Sequence, residues 1–336
     1  MRKKVSLKDI AERVGVSTAL VSYVINGQEK EKRVGKELAN RIREVAAELN
    51  YQPNQIARSL RMKSTRTIGL IVADIANPFF GQLARIVENE AAEIGYTVII
   101  GSTDENLKKS EDLINSLLTR QVDGFLIVPS DGARDQIAGL VAKKIPLVLI
   151  DRYFPEVSTS YVILDNFQAT YEATRQLIER KYENITLMAY KTSLIHMRER
   201  IRGYMQAMTD ANLKANCNVE EIRHEQFEKD IENAFSKIMR NDQRQGLVFA
   251  TNALSIGGLY YMRQHCLHVP EDFGFIGFDG GECFDLHNPP LSFVQQPLVE
   301  MGKESFRLLV DLIGGASKTS RIVLSPSLVI RNEQAC

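Results

Sequence analysis

The chain is poor in the residues that mark a disulfide-bonded, metal-stabilised or membrane-spanning protein. Its 336 residues include no tryptophan and four cysteines, which form no CxxC pair: Cys217, Cys266, Cys283 and Cys336. Such scattered thiols are typical of a reduced, cytosolic protein. No run of eighteen apolar residues is present, so we expect no membrane span. The basic start, MRKKVSLKDIAERV, has no apolar core behind it, so we expect no secretory signal.

Signatures of catalysis and nucleotide binding are missing as well. The sequence contains no GxxxxGK[ST] loop, no GxGxxG after a strand-like run, no HExxH and no GxSxG. His265, Cys266 and His268 lie close in sequence, but their spacing fits no standard metal site and no fourth ligand is evident. We therefore expect a protein that is not an enzyme and that has no cofactor and no bound metal.

The formal net charge of zero hides an uneven distribution. Residues 1–66 contain 15 Lys and Arg against 7 Asp and Glu (15 − 7 = +8), which leaves 27 basic and 35 acidic residues (27 − 35 = −8) for the rest. A basic N-terminal part on a larger acidic body indicates a polyanion-binding module joined to a second domain. The length allows two or three domains with a sizeable core.

Three short helices are predicted in the basic part. Ser6 and Asp9 have the spacing of a capping box before the first helix, which ends at Gly15. Ser17 is the expected N-cap of the second helix, and a third runs from about residue 36 to residue 49. Two short helices joined by a turn with glycine make a helix-turn-helix, whose second helix lies in the DNA major groove.

The second predicted helix has an exposed face without charge. Small side chains at Thr18, Ala19 and Ser22 allow the backbone to approach the groove floor, where hydroxyls can meet phosphates or bases. Tyr23 can extend further. The alternative is a three-helix bundle that binds a protein, which the basic charge favours less.

The rest of the chain alternates apolar runs with amphipathic helical patterns. The runs are TIGLIVA, YTVIIGS, DGFLIVP, IPLVLID, YVILD, NITLMAY, QGLVFAT and FGFIGFD. Continuous Val, Ile and Leu without polar alternation are typical of parallel sheets buried on both faces. Eight such strands are too many for one compact sheet of ordinary size, so the pattern predicts two α/β lobes with a cleft.

Two segments carry a specific resemblance. VSLKDIAERVGVSTALVSYVING, followed by LNYQPNQIARSL, resembles the headpiece of the lactose-repressor (LacI/GalR) family of bacterial transcription regulators. The resemblance implies a headpiece over residues 1–52, a hinge helix and linker over residues 53–66, and a two-lobed effector and dimerisation domain over residues 67–336. It also implies that Leu60 of each subunit of a dimer wedges into the minor groove of the operator. An ordinary packing leucine at a domain joint is the alternative for Leu60.

The resemblance assigns the DNA contacts to a set of residues in the first two helices and the hinge: Ser6, Leu7, Ser17, Thr18, Ala19, Ser22, Tyr23, Asn26, Asn54, Ala57 and Leu60. The chain departs from the family pattern in several places. Tyr23 stands where arginine is usual and Leu20 where threonine is common, residues 28–33 are an insertion, and Gly35 replaces a capping serine. The operator sequence of relatives that bind guanine with arginine therefore does not transfer.

The body resembles the type I periplasmic-binding-protein fold, with expected lobe crossings near Asp165, Pro290 and Val323. The segments NPFF, IDR, RERIRG, ATN, GFD and VQQP resemble the pocket of ribose-type sugar-binding proteins. Carboxylate, amide and guanidinium groups suit sugar hydroxyls, and aromatic rings suit the sugar's less polar faces. The implied effector residues are Asn77, Phe79, Phe80, Asp151, Arg152, Arg200, Asn252, Asp279 and Gln296.

Each of these residues has a plain structural alternative. Phe79 and Phe80 can be core residues, and Asp151 with Arg152 can be a salt bridge at a strand end. Ala253 departs from the family, which usually has an acid there. The resemblance implies a cytoplasmic, nucleoid-associated homodimer, with a tetramer left open. It would be a transcription regulator, expected to be a repressor, that binds double-stranded operator DNA and responds allosterically to a pentose-like monosaccharide or its phosphate.

Three questions stay open at this point. Induction and corepression use the same parts, so the sign of the response is open. A sugar-binding receptor without a role on DNA is an alternative, although the basic N-terminal part disfavours it. A regulator whose effector is a partner protein is another alternative, and the polar residues of the cleft disfavour it.

Overall fold

The computed structural model describes residues 5–51, 64–240 and 243–331. The chain forms two compact units, residues 1–65 and residues 66–336. Among the helices of the described ranges, none is long and apolar enough to cross a membrane.

The first unit contains three helices: α1 (Leu7–Val14), α2 (Thr18–Ile25) and α3 (Lys36–Glu48). The predicted capping box is present, because the Ser6 side chain accepts from Asp9 N–H and the Asp9 carboxylate accepts from Ser6 N–H at 2.7 Å. Gly15 ends α1 with φ 79°, and Ser17 Oγ accepts from the Leu20 N–H at 3.3 Å. The predicted helix starts are confirmed.

The three helices of the first unit pack around one apolar core. Ile10, Val21 and Ile42 are fully buried at its centre, with apolar residues of all three helices around them. The insertion is tied to this core, because Glu29 forms an ion pair with Arg43 of α3 and Val34 N–H donates to the Glu29 carbonyl at 2.8 Å. Gly35 is the N-cap of α3 and provides no side-chain hydrogen bond there, as the sequence predicts.

The second unit contains two six-stranded sheets. The first sheet has the order β11-β5-β4-β3-β1-β2 and is parallel throughout. Its strands are β1 (Thr67–Val72), β2 (Thr97–Ser102), β3 (Gly124–Ile127), β4 (Leu147–Ile150), β5 (Ser160–Leu164) and β11 (Arg321–Leu324). The helices of this lobe are α4 (Pro78–Glu93), α5 (Leu107–Thr119), α6 (Arg134–Ala142) and α12 (Leu298–Ile313).

The second sheet repeats this order as β12-β10-β9-β8-β6-β7, and only its β10–β12 pair is antiparallel among the pairs described. Its strands are β6 (Asn184–Tyr190), β7 (Cys217–Ile222), β8 (Gln245–Phe249), β9 (Phe273–Phe278), β10 (Ser292–Gln295) and β12 (Ser327–Val329). The helices of this lobe are α7 (Asn166–Glu179), α8 (Ile195–Asp210), α9 (Phe227–Ile238), α10 (Asn252–Gln264) and α11 (Glu282–Asp285), with 3₁₀ turns at Lys214–Asn216 and His224–Gln226.

The chain passes between the sheets three times. It leaves the first sheet at Asp165, returns to it at Gln296 and Pro297, and leaves it again between β11 and β12. The second passage lies beyond Pro290, because β10 still pairs with β9, and the third lies just beyond Val323, because that residue still pairs with β5. All eight predicted apolar runs form strands, and the predicted two-lobed α/β fold is confirmed.

Candidate DNA-binding surface and effector cleft

The exposed side of α2 contains the small residues that the sequence singles out. Thr18 and Ala19 are exposed and Ser22 is half-buried, whereas Val21 and Val24 on the opposite side are buried. Asn26 ends the helix and donates through Nδ2 to the Ser22 carbonyl at 2.6 Å. Ser6, Leu7 and Ser17 lie at the first turns of α1 and α2. The surface of α2 is therefore small, polar and uncharged.

Tyr23 lies beside the insertion. Lys32 Nζ is 5.8 Å from the centre of the Tyr23 ring, and Gln28 N–H donates to the Tyr23 carbonyl at 2.8 Å. The insertion thus places a cation next to the residue that departs from the family pattern. The predicted hinge contacts Asn54, Ala57 and Leu60 lie outside the described residues.

The cleft of the second unit lies at the carboxyl ends of the two sheets, where an open α/β sheet binds its ligands. It contains a cavity of about 640 Å³, and all nine predicted effector residues line it: Asn77, Phe79, Phe80, Asp151, Arg152, Arg200, Asn252, Asp279 and Gln296. The structure therefore brings together in space residues that lie up to 219 positions apart in the sequence.

The start of α4 supplies aromatic surface and a fixed amide. Asn77 is the N-cap of α4 and accepts through Oδ1 from the Phe79 N–H at 3.0 Å. The rings of Phe79 and Phe80 meet edge to face, with centroids 4.9 Å apart. Both phenylalanines are buried among core residues, and both also line the cavity. The core and pocket interpretations are therefore compatible.

A compact charge network follows β4. Arg152 donates through Nη1 and Nη2 to the two carboxylate oxygens of Glu105, at 2.9 and 2.7 Å, and its Nε lies 3.3 Å from Asp151 Oδ2. Burial raises the pKa of Asp151, and the positive charges of Arg152 and Arg200 only partly offset this effect. Burial also raises the pKa of Glu105, but the charge of Arg152 outweighs it and holds that carboxyl below its usual value. Arg152 is therefore largely neutralised by its own lobe.

Arg200 is fixed on α8 by the second lobe. Its Nε donates to Asn166 Oδ1 at 2.7 Å, its Nη1 donates to the Ala250 carbonyl, and its guanidinium lies 3.9 Å from the centre of the Phe278 ring. Gly203 allows this placement, since a Cβ there would meet the Phe167 carbonyl oxygen of α7 at 2.1 Å. Burial lowers the pKa of Arg200, which lies near both Asp151 and Asp279.

Asp279 and Gln296 leave acceptor atoms open. Gln296 Nε2 donates to Asp279 Oδ2 at 2.9 Å, and Asn252 Nδ2 donates to the Asp279 carbonyl at 2.6 Å. Burial raises the pKa of the Asp279 carboxyl to about 7, against the lowering effects of Arg200 and Gln296. Asp279 Oδ1 and Gln296 Oε1 are buried without a hydrogen-bond partner among the described residues. Such atoms indicate a missing donor, which a sugar hydroxyl can supply.

Sequence reasoning missed several cavity residues. His196 at the start of α8 is buried, its Nδ1 has no hydrogen-bond partner within the described ranges, and burial with the nearby arginines lowers its pKa well below the usual value. Glu105, Asp131, Tyr190 and His224 also line the cavity. The available signal was position, because each of these four lies at or within a few residues of the end of a parallel strand.

The cleft has an excess of carboxyl groups. Three cationic side chains line it, Arg152, Lys191 and Arg200, against seven acids: Asp74, Asp104, Glu105, Asp131, Asp151, Glu225 and Asp279. The rejected metal candidates lie elsewhere: His265 stacks on Tyr261, and His268 lies 3.7 Å from Asp272. The cleft is therefore suited to a ligand that donates hydrogen bonds and has no negative charge.

Comparison with known families decides the classification. Residues 6–54 match the bacterial regulatory proteins of the lacI family, and residues 65–336 match the periplasmic binding proteins and sugar binding domain of the LacI family. The chain belongs to the LacI family.

Known LacI-family proteins resemble it along almost their whole length. It is 30% identical over 97% of both chains to the ribose operon repressor of Haemophilus influenzae, and 34% identical over 97% of both chains to the HTH-type transcriptional repressor PurR of Vibrio cholerae. The crystal structure of the lac repressor dimer bound to operator and the anti-inducer ONPF matches this chain with a TM-score of 0.85 and 23% identity. The match covers 99% of this chain and 100% of that chain. The relatives are repressors, which confirms the prediction of a regulator rather than an enzyme.

Proposed function

We propose that this LacI-family protein is a transcription repressor whose affinity for its operator is controlled by an unphosphorylated, pentose-like sugar bound in the cleft. Its closely matching relative, the ribose operon repressor, supports a sugar of this class. The observation that carries the proposal is that all nine predicted effector residues line one cavity. Within it, buried acceptor atoms of Asp279 and Gln296 have no hydrogen-bond partner among the described residues.

The charges of the cleft favour a free sugar over a sugar phosphate. Of the cleft cations, Arg152 is occupied by Glu105 and Asp151, and Arg200 is occupied by Asn166 and the Ala250 carbonyl. A phosphate would enter a site in which seven acids outnumber three cationic side chains, and both arginines already donate to protein acceptors. We therefore propose a free sugar, and not its phosphate, as the effector.

We also propose that the protein binds DNA as a cytoplasmic, nucleoid-associated homodimer, with α2 of each copy in a major groove and Leu60 at the operator centre. The strand order supports pairing through the first lobe, since β2 is an edge strand that leaves Ile100 exposed. The uncharged face of α2 and the neighbouring Tyr23 predict an operator different from those of relatives that use arginine.

The test combines selection of the operator with a ligand titration. Random DNA is selected on the full-length protein, and the selected site is then titrated by fluorescence anisotropy with D-ribose, D-xylose and ribose 5-phosphate. We expect a free pentose to change operator affinity at least fivefold and to raise the melting temperature, whereas the phosphate does neither. A response to the phosphate alone, or to none of the sugars, would overturn the proposal.

A further inference from the structure

The insertion after α2, residues 28–33, forms an ordered turn. Gln28 N–H donates to the Tyr23 carbonyl at 2.8 Å, so the chain folds back against the end of α2. Within the turn, Lys32 N–H donates to the Gln28 carbonyl at 2.9 Å, and Val34 N–H donates to the Glu29 carbonyl at 2.8 Å. Backbone hydrogen bonds at both of its ends therefore hold the insertion in place relative to α2.

An ion pair also ties the insertion to α3. The Glu29 carboxylate pairs with the Arg43 guanidinium, and the Glu29 side chain is only 23% exposed. Arg43 lies on α3, whose apolar face packs against α2 around Ile42 and Val21. Since the turn is joined to α2 by its backbone and to α3 by a side chain, it can hold a charged group at a fixed place beside α2.

That charged group is Lys32. Its Nζ lies 5.8 Å from the centre of the Tyr23 ring, within the range of about 6 Å over which an aromatic face attracts a cation. Tyr23 is half-buried and directly follows Ser22 near the end of α2. Lys32 therefore flanks the last turn of the helix that the proposed function places in the major groove, next to a residue that the sequence assigns to DNA contacts.

The acidic partner of Lys32 is easily replaced. A Glu31 carboxylate oxygen lies 2.8 Å from Lys32 Nζ, and the Lys32 and Glu31 side chains are 40% and 67% exposed. Such an exposed ion pair contributes little to stability. The walls of a major groove are lined with phosphates, about one negative charge per 1.7 Å of duplex axis, so DNA competes well for the same ammonium group. Glu29 does not compete for it, because Arg43 already pairs with that carboxylate.

We propose that Lys32 exchanges Glu31 for a DNA phosphate when the protein binds its operator, and that the bound ammonium group holds the Tyr23 ring in place in the groove. The Glu29–Arg43 pair positions the turn for this contact. Lys32 is then a positioning residue, and Tyr23 is the residue whose contacts depend on the base sequence. This proposal rests on the proposed function, in which α2 lies in the major groove.

The first experiment measures the salt dependence of DNA binding. Fluorescence anisotropy of the full-length protein is recorded on the selected operator between about 50 and 200 mM KCl. Lys32→Gln should lower the slope of log K against log [salt] by about 0.9 for each headpiece that binds, because each loses one phosphate contact. Glu31→Gln removes the competing carboxylate and should raise operator affinity about two- to fivefold at low salt.

The matched control is Arg41→Gln. Arg41 is an exposed cation of the same unit, and it pairs at 3.7 Å with Glu44 of its own helix. Its loss should leave the salt slope of operator binding unchanged. Lys32→Arg keeps the cation and should keep the wild-type slope. Circular dichroism checks that each variant retains its helices.

A second experiment tests whether Lys32 acts through Tyr23. Operators with one base-pair change each are titrated with the wild type and with Tyr23→Ala, and the position at which the variant loses discrimination identifies the base that Tyr23 contacts. Lys32→Gln should lower discrimination at that position about threefold when Tyr23 is present and should add no loss to Tyr23→Ala. A phosphate contact alone would weaken all operators equally and leave discrimination unchanged.

Two results would overturn this role of the insertion. An unchanged salt slope in Lys32→Gln would exclude the phosphate contact. Equal discrimination by the wild type and Lys32→Gln at every position would exclude the positioning of Tyr23. The failure of the proposed function looks different, because random DNA would then yield no selected site for the wild-type protein.

Discussion

Asp151 and Asp279 occupy matching places in the two lobes, yet their surroundings differ. Each directly follows the third strand from the crossing edge of its sheet, with a positive φ, 66° and 52°, and each donates its N–H to the neighbouring strand. Asp151 is followed by Arg152, which Glu105 also holds. Asp279 is followed by a glycine and has Gln296 as its side-chain donor. The first lobe compensates its own charges, while the second leaves acceptors for a ligand.

Arg200 is the cation that both carboxylates share, and its removal should have the largest effect. Arg200→Ala should abolish the ligand response and lower the free energy of unfolding by about 3–5 kcal/mol, because it leaves buried charge uncompensated. Operator affinity without ligand should be retained. Thermal shift with and without sugar, urea unfolding and operator anisotropy measure the three quantities.

The matched control for Arg200 lies on the same helix. Arg202 is exposed and pairs with Glu199, so Arg202→Ala should behave like the wild type. Arg200→Lys keeps the charge without the planar fork, and it tests the geometry if the alanine variant is too unstable. A full ligand response in both Arg200 variants would contradict the assignment of Arg200 to the site.

Asp279→Asn should change how the stability of the protein depends on pH. Because the pKa of Asp279 is about 7 in the folded protein and 3.8 without the fold's influence, the folded state holds its proton more tightly. The wild type therefore loses stability as the pH rises from about 4 to 7. The asparagine variant is spared this loss, so it should be more stable than the wild type at pH 8 but not at pH 4. Its sugar affinity at pH 8, where the wild-type carboxyl is ionised, should fall roughly ten- to hundredfold because the variant lacks the charged acceptor.

Asp151→Asn is the matched comparison. Two arginines lie near Asp151, one of them adjacent, so its ionised form is better compensated and the gain at pH 8 should be smaller. Melting curves of both variants between pH 4 and pH 8 measure the difference. Equal gains would show that the two lobes treat their carboxylates alike.

The fold could be predicted because its signals are local. Helix caps at Ser6 and Ser17 and uninterrupted apolar runs indicate each element without knowledge of its neighbours. Four strands were not predicted: β7, β10, β11 and β12. β7 is mostly half-buried, β12 has no buried residue, and β10 and β11 have only four residues each. Their pairing with neighbouring strands defines them, and pairing is not a property of the segment alone.

The site was predictable only in part, for the same reason. The nine predicted effector residues belong to short motifs that can be recognised in the sequence, such as the aromatic pair after Asn77. Glu105 and His224 lie in charged segments, DENLKK and IRHEQ, that read as ordinary solvated loops. Only the sheet order, which places β2 and β7 at the same end of the cleft, brings these loops to one cavity.

The smallest expected effect concerns a contact that joins the two lobes. The Asp131 carboxylate of the first lobe accepts from Thr192 Oγ1 at 2.7 Å, from Ser193 N–H at 3.0 Å and from Ser193 Oγ at 2.6 Å. Because Asp131 is exposed at the rim of the cleft, solvent screens this contact. Asp131→Asn should weaken sugar binding only about two- to fivefold, by lowering the population of closed lobes.

A double-mutant cycle shows whether this contact acts between the lobes. Ser193→Ala should cause a similar loss, and the double variant should be little worse than either single one, because both remove the same contact. Asp135→Asn is the control, since Asp135 pairs with Arg134 of its own lobe and should leave sugar affinity unchanged. Additive losses in the cycle would mean that Asp131 and Ser193 act separately. Closure of the lobes would then depend on the ligand, whose hydroxyls donate to Asp279 Oδ1 and Gln296 Oε1 of the second lobe. The ion pairs of Arg152 in the first lobe would remain unchanged.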